Sequence, residues 1–144
     1  MRLTTAPTAY RQQVFWADPQ SEAFDPLNAL AYFKSVQSQY PQWNALLLEH
    51  LIEGLSLAPF VEKPLYMLST GSKRKVWLAA AFACGAALTL LDEPFAALDR
   101  PSIRFILELL EDASAHPSRA WVIAAYEAPG AVPLAAVIEL PERP

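Results

Sequence analysis

Two short stretches of this chain carry side chains whose types and order suit chemistry on a charged substrate. Leu88-Thr89-Leu90-Leu91 runs directly into Asp92-Glu93-Pro94, an apolar segment of strand length that closes on two carboxylates. A strand end is a rigid mount, from which Asp92 can reach the hydration shell of a metal ion and Glu93 can polarise an attacking water. Upstream, Ser69-Thr70-Gly71-Ser72 precedes Lys73-Arg74-Lys75 and a helix-sized apolar run. There the Ser69 hydroxyl, the Gly71 N–H and a helix N-terminus converge as a ready anion site. Each pattern taken singly also has a plain structural reading, a solvated strand end for the acids and a capped turn for the serine.

The elements that must position these residues are legible in the flanking pattern. Ser69 is a suitable N-cap for a helix over 72–84, which Gly85 terminates. Residues 87–91 form a continuous apolar run, as expected of a strand covered on both faces of a parallel sheet. Pro101 suits the first turn of the next helix, where Ile103, Ile106, Leu107, Leu110 and Ala113 share a face and Glu108, Glu111 and Asp112 face water. Residues 121–125 and 135–140 are two further candidates for buried strands. On the N-terminal side, residues 12–17 are β-prone and close on the turn signal Asp18-Pro19. Helical spacing recurs over 28–36 and 43–57. In the second segment Leu47, Leu48, Leu51, Ile52 and Leu55 line one stripe, opposite Glu49, His50 and Glu53, and Gly54 and Pro59 limit the helix. Strand-helix-strand alternation from Leu88 onward predicts an α/β fold. No internal repeat is visible, and residues 141–144 read as a frayed end.

Composition narrows the function classes. A chain of 144 residues fits one domain, and 53% hydrophobic against 18% charged residues predicts a packed core. A net charge of -4 gives no electrostatic reason to expect a nucleic-acid partner. Cys84 is the single cysteine, so the chain has no internal disulfide or cysteine zinc site, which suits a reducing cytoplasm. Residues 1–9 are polar and proline-containing, unlike a signal peptide. The longest apolar run, 76–91, is 16 residues, shorter than the about 20 that a membrane-spanning helix needs. It reads as a buried helix feeding a buried strand.

In order and spacing these segments resemble three consecutive motifs of the ATP-binding cassette (ABC) ATPases. Residues 68–75 resemble the signature loop, 88–93 the Walker B strand, and Ala97-Leu98-Asp99 the D-loop. The 23 positions from Ser69 to Asp92 hold one helix, one turn and one strand, as in that family. Thr70 and Ser72 stand where the signature usually has glycine and glutamine, and Lys75 where arginine is commoner. Gln20, after Val14-Phe15-Trp16-Ala17-Asp18-Pro19, resembles the Q-loop glutamine. Tyr126, after Val122-Ile123-Ala124-Ala125, takes the place of the switch histidine. Its phenol can donate a hydrogen bond but is no cation near pH 7. A phosphate contact and a buried aromatic at a strand end are both open readings of it. His50 and His116 read as surface residues.

The resemblance implies an α/β fold, an incomplete P-loop NTPase core with a parallel sheet plus an ABC-type helical subdomain. Residues 1–20 would be a remnant of the core up to the Q-loop, 21–75 the helical subdomain ending in the signature motif, and 76–144 the C-terminal part of the nucleotide-binding core. It implies ATP and Mg2+ as cofactors, with ATP sandwiched between two cassettes. Glu93 would be the catalytic residue that orients water. Asp92 and Gln20 would hold Mg2+, and Ser69, Thr70, Gly71, Ser72, Asp99 and Tyr126 would contact nucleotide. The implied partners are a second cassette in a dimer and a transmembrane transporter subunit, with no nucleic acid, and the implied location is cytoplasmic and peripheral to the membrane.

A P-loop needs Gly-x-x-x-x-Gly-Lys-Ser/Thr, and the glycines here, at 54, 71, 85 and 130, include no two that are five apart. The family places this loop well before the Q-loop glutamine, and 19 residues precede Gln20. The expectation is therefore an N-terminally truncated cassette (a truncated gene, a late start codon or half of a split protein) that does not hydrolyse ATP alone. In the family the P-loop strand sits beside the switch strand. Without it, residues 121–125 keep an open edge unless 135–140 slides in to pair. Two other readings remain: a non-catalytic module that lends its signature face to a complete cassette, and a soluble ABC ATPase of DNA repair or translation. The acidic, short helical insert disfavours the last.

Overall fold

The chain is described by a computed structural model over residues 12–141. The readings of residues 1–11 and of 142–144 lie outside the described residues. The acidic strand forms as its apolar run predicts. Strand β2 (Leu88–Asp92) lies at the centre of a three-stranded parallel sheet, between β1 (Val14–Trp16) and β3 (Ala120–Ala124). The register pairs Phe15 with Thr89, Thr89 with Trp121 and Leu91 with Ile123, so these side chains share one face of the pleat. Phe15, Thr89 and Leu91 are buried, whereas Leu88 and Leu90 are half-buried. The sheet is thus sealed on one face only, which corrects the expectation of a strand covered on both.

Four α-helices, α1 (Ala29–Gln39), α2 (Ala45–Gly54), α3 (Thr70–Ala83) and α4 (Arg100–Ser114), and two short 3-10 helices, Ala58–Phe60 and Leu65–Met67, complete the described fold. The first two start on asparagine caps, Asn28 accepting from the Ala31 N–H at 2.8 Å and Asn44 from the Leu47 N–H at 3.0 Å. Helix α3 is the hub. Residues 76–83 are all buried, because an alanine-rich helix lets neighbours approach from every side. Phe82 stacks on Trp121 of β3 with ring centroids 4.7 Å apart. On the other side Trp77 meets Tyr32 of α1 edge-on at 4.6 Å. From α2, Leu51 is fully buried, as are Leu55 and Leu57 just beyond its end.

The apolar run over 76–91 is divided between α3 and β2, as its length predicts. The break is Gly85, whose φ of +75° is open to glycine at no steric cost and whose missing Cβ leaves room for the Gln42 carbonyl. Among the described residues no helix is long and apolar enough to cross a membrane. The half-buried Arg119 locks the turn from the far side. Its Nε donates to the Ala86 carbonyl at 2.8 Å, its Nη1 to Phe82 at 3.2 Å and its Nη2 to the Thr89 hydroxyl at 3.2 Å. Its guanidinium also lies 4.4 Å from the Trp121 ring centroid.

One expected strand is not there. Residues 135–140 are irregular, and Val137, Ile138 and Leu140 are exposed. Their composition favours a strand, yet a strand is stable only where a neighbour supplies ladder hydrogen bonds that offset the ordering entropy. The segment does not slide in against β3. Among the described residues β3 pairs with β2 alone, and its outer edge stays open with Val122 exposed.

Candidate functional site

Ser69 caps α3 as its position before the helix predicts. Its hydroxyl accepts the Ser72 N–H at 3.1 Å and lies 3.1 Å from the Ser72 hydroxyl. Ser69 and Thr70 are exposed, and Gly71 and Ser72 half-buried. The Thr70 and Gly71 N–H groups have no intrahelical acceptor at this first turn, so the N-terminus of α3 presents donors beside a solvent-facing serine.

Gly71 has a structural duty that its sequence context does not announce. A Cβ built there would sit 2.4 Å from the Ala97 carbonyl oxygen, so only glycine lets the start of α3 touch the loop after β2. That loop is itself tightly wound. Glu93 (φ 45°) and Ala97 (φ 62°) both occupy the left-handed region, which side chains other than glycine rarely adopt. Beside this contact the Lys75 ammonium meets the Asp99 carboxylate at 2.9 Å. Asp99 also caps α4, accepting from the Ser102 hydroxyl at 2.8 Å and the Ser102 N–H at 3.2 Å. The hydrogen bond from Lys75, followed by that from Ser102, pulls the Asp99 carboxyl down to about 2. In sequence the pattern Asp99-x-x-Ser102 with Pro101 inside it is a helix-start signal that could have revealed this capping role.

The acids sit where the strand ends. Asp92 is exposed and Glu93 half-buried. The Glu93 N–H donates to the Ala124 carbonyl of β3 at 2.8 Å, so the ladder continues one residue beyond the strand. Asp92 lines a small cleft between β1, β2 and α3 together with Ala17, Pro19, Arg74 and Trp77. Pro19 directly precedes Gln20, an exposed residue whose N–H is bound by the Asp18 carboxylate at 3.0 Å. The structure therefore brings Asp92 beside the turn that carries Gln20, and the start of α3 beside the loop that carries Asp99.

Tyr126 stands apart. It lies two residues past β3 and is 97% exposed, which overturns the reading of a buried aromatic at a strand end. The open edge of β3 gives it nothing to pack against. His50 and His116 are exposed, as their sequence context predicts. Cys84 is buried and free, its thiol pushed up by burial, and it donates to the Ala81 carbonyl at 3.2 Å.

Among the described residues no three His, Cys, Asp or Glu side chains cluster closely enough to hold a metal ion by themselves. A Mg2+ ion commonly takes one or two carboxylates and completes its shell with phosphates and water. The lone exposed carboxylate of Asp92 fits that role, and the donors at the start of α3 fit a phosphate. Arg74 is the residue that sequence reasoning passed over. Its Nη1 donates to the Glu93 carbonyl at 2.8 Å and to the Asp92 carbonyl at 3.1 Å, and no local pattern signals such a contact across 18 positions.

The family model described as ABC transporter matches residues 3–96. The chain belongs to the ABC transporter family. It is 34% identical over 97 residues to the cytochrome c biogenesis ATP-binding export protein CcmA of Pseudomonas savastanoi pv. phaseolicola, covering 67% of this chain and 46% of that protein. It is 42% identical over 60 residues to the iron(3+)-hydroxamate import ATP-binding protein FhuC of Bacillus subtilis, covering 42% of this chain and 22% of that protein. In fold it is similar to the ATP-binding subunit of an ABC transporter, with a TM-score of 0.74 at 23% identity, over 85% of this chain and 52% of the other. A dimeric ATP-binding cassette in a post-hydrolysis state bound to ADP and Pi gives a TM-score of 0.64 at 21% identity, over 88% and 58%. The chain thus spans between 22% and 58% of the length of these relatives, and its parallel sheet with flanking helices is the fold of the ABC ATPase structures it matches.

Proposed function

We propose that this chain is the signature-bearing part of an ATPase subunit of an ABC transporter, and that it works on ATP only together with a P-loop supplied by another segment. The observation that carries this is the joining of the Ser69-capped turn to the acidic strand end, through Gly71 against Ala97 and Lys75 against Asp99. In this reading residues 21–75 form the helical subdomain, and residues 1–20 and 76–144 belong to the core. Glu93 orients the attacking water. Asp92 and Gln20 would hold Mg2+, which when bound would screen the charge of the phosphates. Ser69, Thr70, Gly71 and Ser72 offer donors to the terminal phosphate of nucleotide bound by a second cassette, with Asp99 at the same interface, and Tyr126, past the end of β3, contacts nucleotide through its phenol. Since Asp99 is already engaged by Lys75 and Ser102, its part is to fix the loop that faces the neighbour. The partners are a second cassette and a transmembrane transporter subunit at the cytoplasmic side of a membrane, and the net charge of -4 argues against a nucleic acid.

The test is reconstitution with a P-loop-bearing cassette segment. The chain alone hydrolyses no ATP, whereas the mixture does, and Glu93→Gln lowers its kcat by about 100-fold. A mixture as slow as its components refutes the proposal. The second reading, a module that lends only its signature face, rests on the exposure of Ser69. It is favoured if Ser69→Arg abolishes the stimulation while Glu93→Gln leaves it intact.

A further inference from the structure

The backbone at Glu93 is held from two sides. Its φ of 45° places a β-carbon residue in the left-handed region, where the conformation persists only if its surroundings enforce it. From β3, the Ala124 carbonyl takes the Glu93 N–H at 2.8 Å. From α3, one nitrogen of the Arg74 guanidinium, Nη1, donates to both the Asp92 and Glu93 carbonyls, at 3.1 and 2.8 Å. The Arg74 Nε is buried without a hydrogen-bond partner, so the side chain forgoes one bond to reach both carbonyls. Arg74 lies five residues after Ser69 on the same helix. Any shift at the capped turn of α3 is therefore delivered to the peptide that carries Glu93.

We infer that Arg74 is a positioning residue: through its guanidinium it sets the backbone angle of Glu93, and so the aim of the acid, according to where the first turns of α3 lie. The inference rests on the proposed role of Glu93 for its consequence in hydrolysis, but the mechanical coupling stands independently of it. Three contacts make the segment one body, Gly71 against Ala97, Arg74 on the Asp92 and Glu93 carbonyls, and Lys75 with Asp99. Of these, only the Arg74 contact reaches the peptide of the acid itself. The Lys73–Asp25 ion pair ties the same helix turn outward to the loop before α1, so a push on that loop has a route to Glu93.

Amide hydrogen exchange on the intact chain tests this without any activity. Arg74→Met keeps the bulk and removes the donors. It is expected to raise the exchange rate of the Glu93 N–H by about tenfold or more while amides in the middle of β2 and α3 keep theirs. Arg74→Lys, which retains a charge and a donor but on a shorter, flexible stem without the planar guanidinium, is expected to give a smaller rise, and it serves as the readout should Arg74→Met fail to fold. Unchanged exchange at Glu93, or an equal rise at every amide, overturns the inference. In the reconstituted mixture Arg74→Met lowers kcat with KM unchanged, and adds nothing in a Glu93→Gln background. If the mixture shows no hydrolysis but the exchange result holds, the coupling stands and the proposed role of Glu93 falls.

Discussion

Replacing Gly71 by alanine sets two opposed effects against each other, and the structure decides the sign. In an ordinary helix position alanine is favoured over glycine by about 1 kcal/mol. Position 71 is the second residue of α3, where the gain is smaller because the helix end is already constrained by its cap. Against it stands the Ala97 carbonyl oxygen, 2.4 Å from where the new Cβ must sit, well inside the 3.0 Å that real Cβ contacts respect. The obstacle is backbone, not a flexible side-chain end, and Ala97 is itself wound into the left-handed region. Relieving the overlap requires the loop over 93–99 to move away from α3, with loss or lengthening of the Lys75–Asp99 pair. Overpacking of this kind costs about 1–3 kcal/mol, so the net effect is a destabilisation of about 1–2 kcal/mol, or roughly 3–6 °C in Tm for a chain of this size. Thermal and urea unfolding followed by circular dichroism measures it. Thr70→Ala, at the exposed neighbouring position, is the control and is expected to stay within about 0.5 kcal/mol of the parent. A Gly71→Ala chain as stable as the parent, or more so, would mean that α3 and the loop do not touch and that the joined site does not exist.

Two further outcomes follow from the electrostatics and the turn lock. The Asp99 carboxyl titrates at about 2 in the folded chain against an ordinary 3.8, so its stabilising contribution is complete above pH 3.8 and is lost as pH falls through about 2. With its side chain 51% exposed, solvent screening holds that contribution below about 1 kcal/mol. Asp99→Asn keeps a capping oxygen but not the charge, and should flatten the fall in unfolding free energy across this window; an unaltered slope refutes the ion pair. Arg119→Met strips the Ala86 and Phe82 carbonyls and the Thr89 hydroxyl of their donor. It should cost about 2–4 kcal/mol in urea unfolding, and a loss under about 0.5 kcal/mol would show that water replaces the guanidinium without penalty.

The local chain sufficed for elements whose signals are local. Ser69 caps its helix because a short polar side chain before an apolar stretch has few better uses. The apolar run before Asp92 forms a strand, and Gly85 breaks helix from strand, for equally local reasons. The order of signature turn, acidic strand end and Asp99 sufficed to identify the family. Where a segment's state depends on a neighbour, the sequence reading failed. Residues 135–140 have strand composition and no partner to pair with, and Tyr126 has no layer above it to bury it.

The amino-acid order by itself determined which residues are available for chemistry, the α/β class and the family, since caps, periodicity and motif spacing act over a few positions. Tertiary structure alone decided how those residues are tied together. That Gly71 is glycine because the Ala97 carbonyl passes over it, that Asp99 is paired with Lys75, and that Arg74 grips the peptide of Glu93 are contacts between segments about 20 residues apart or more. Such contacts arise only when α3 packs across β2, and no spacing rule along the chain encodes that distance.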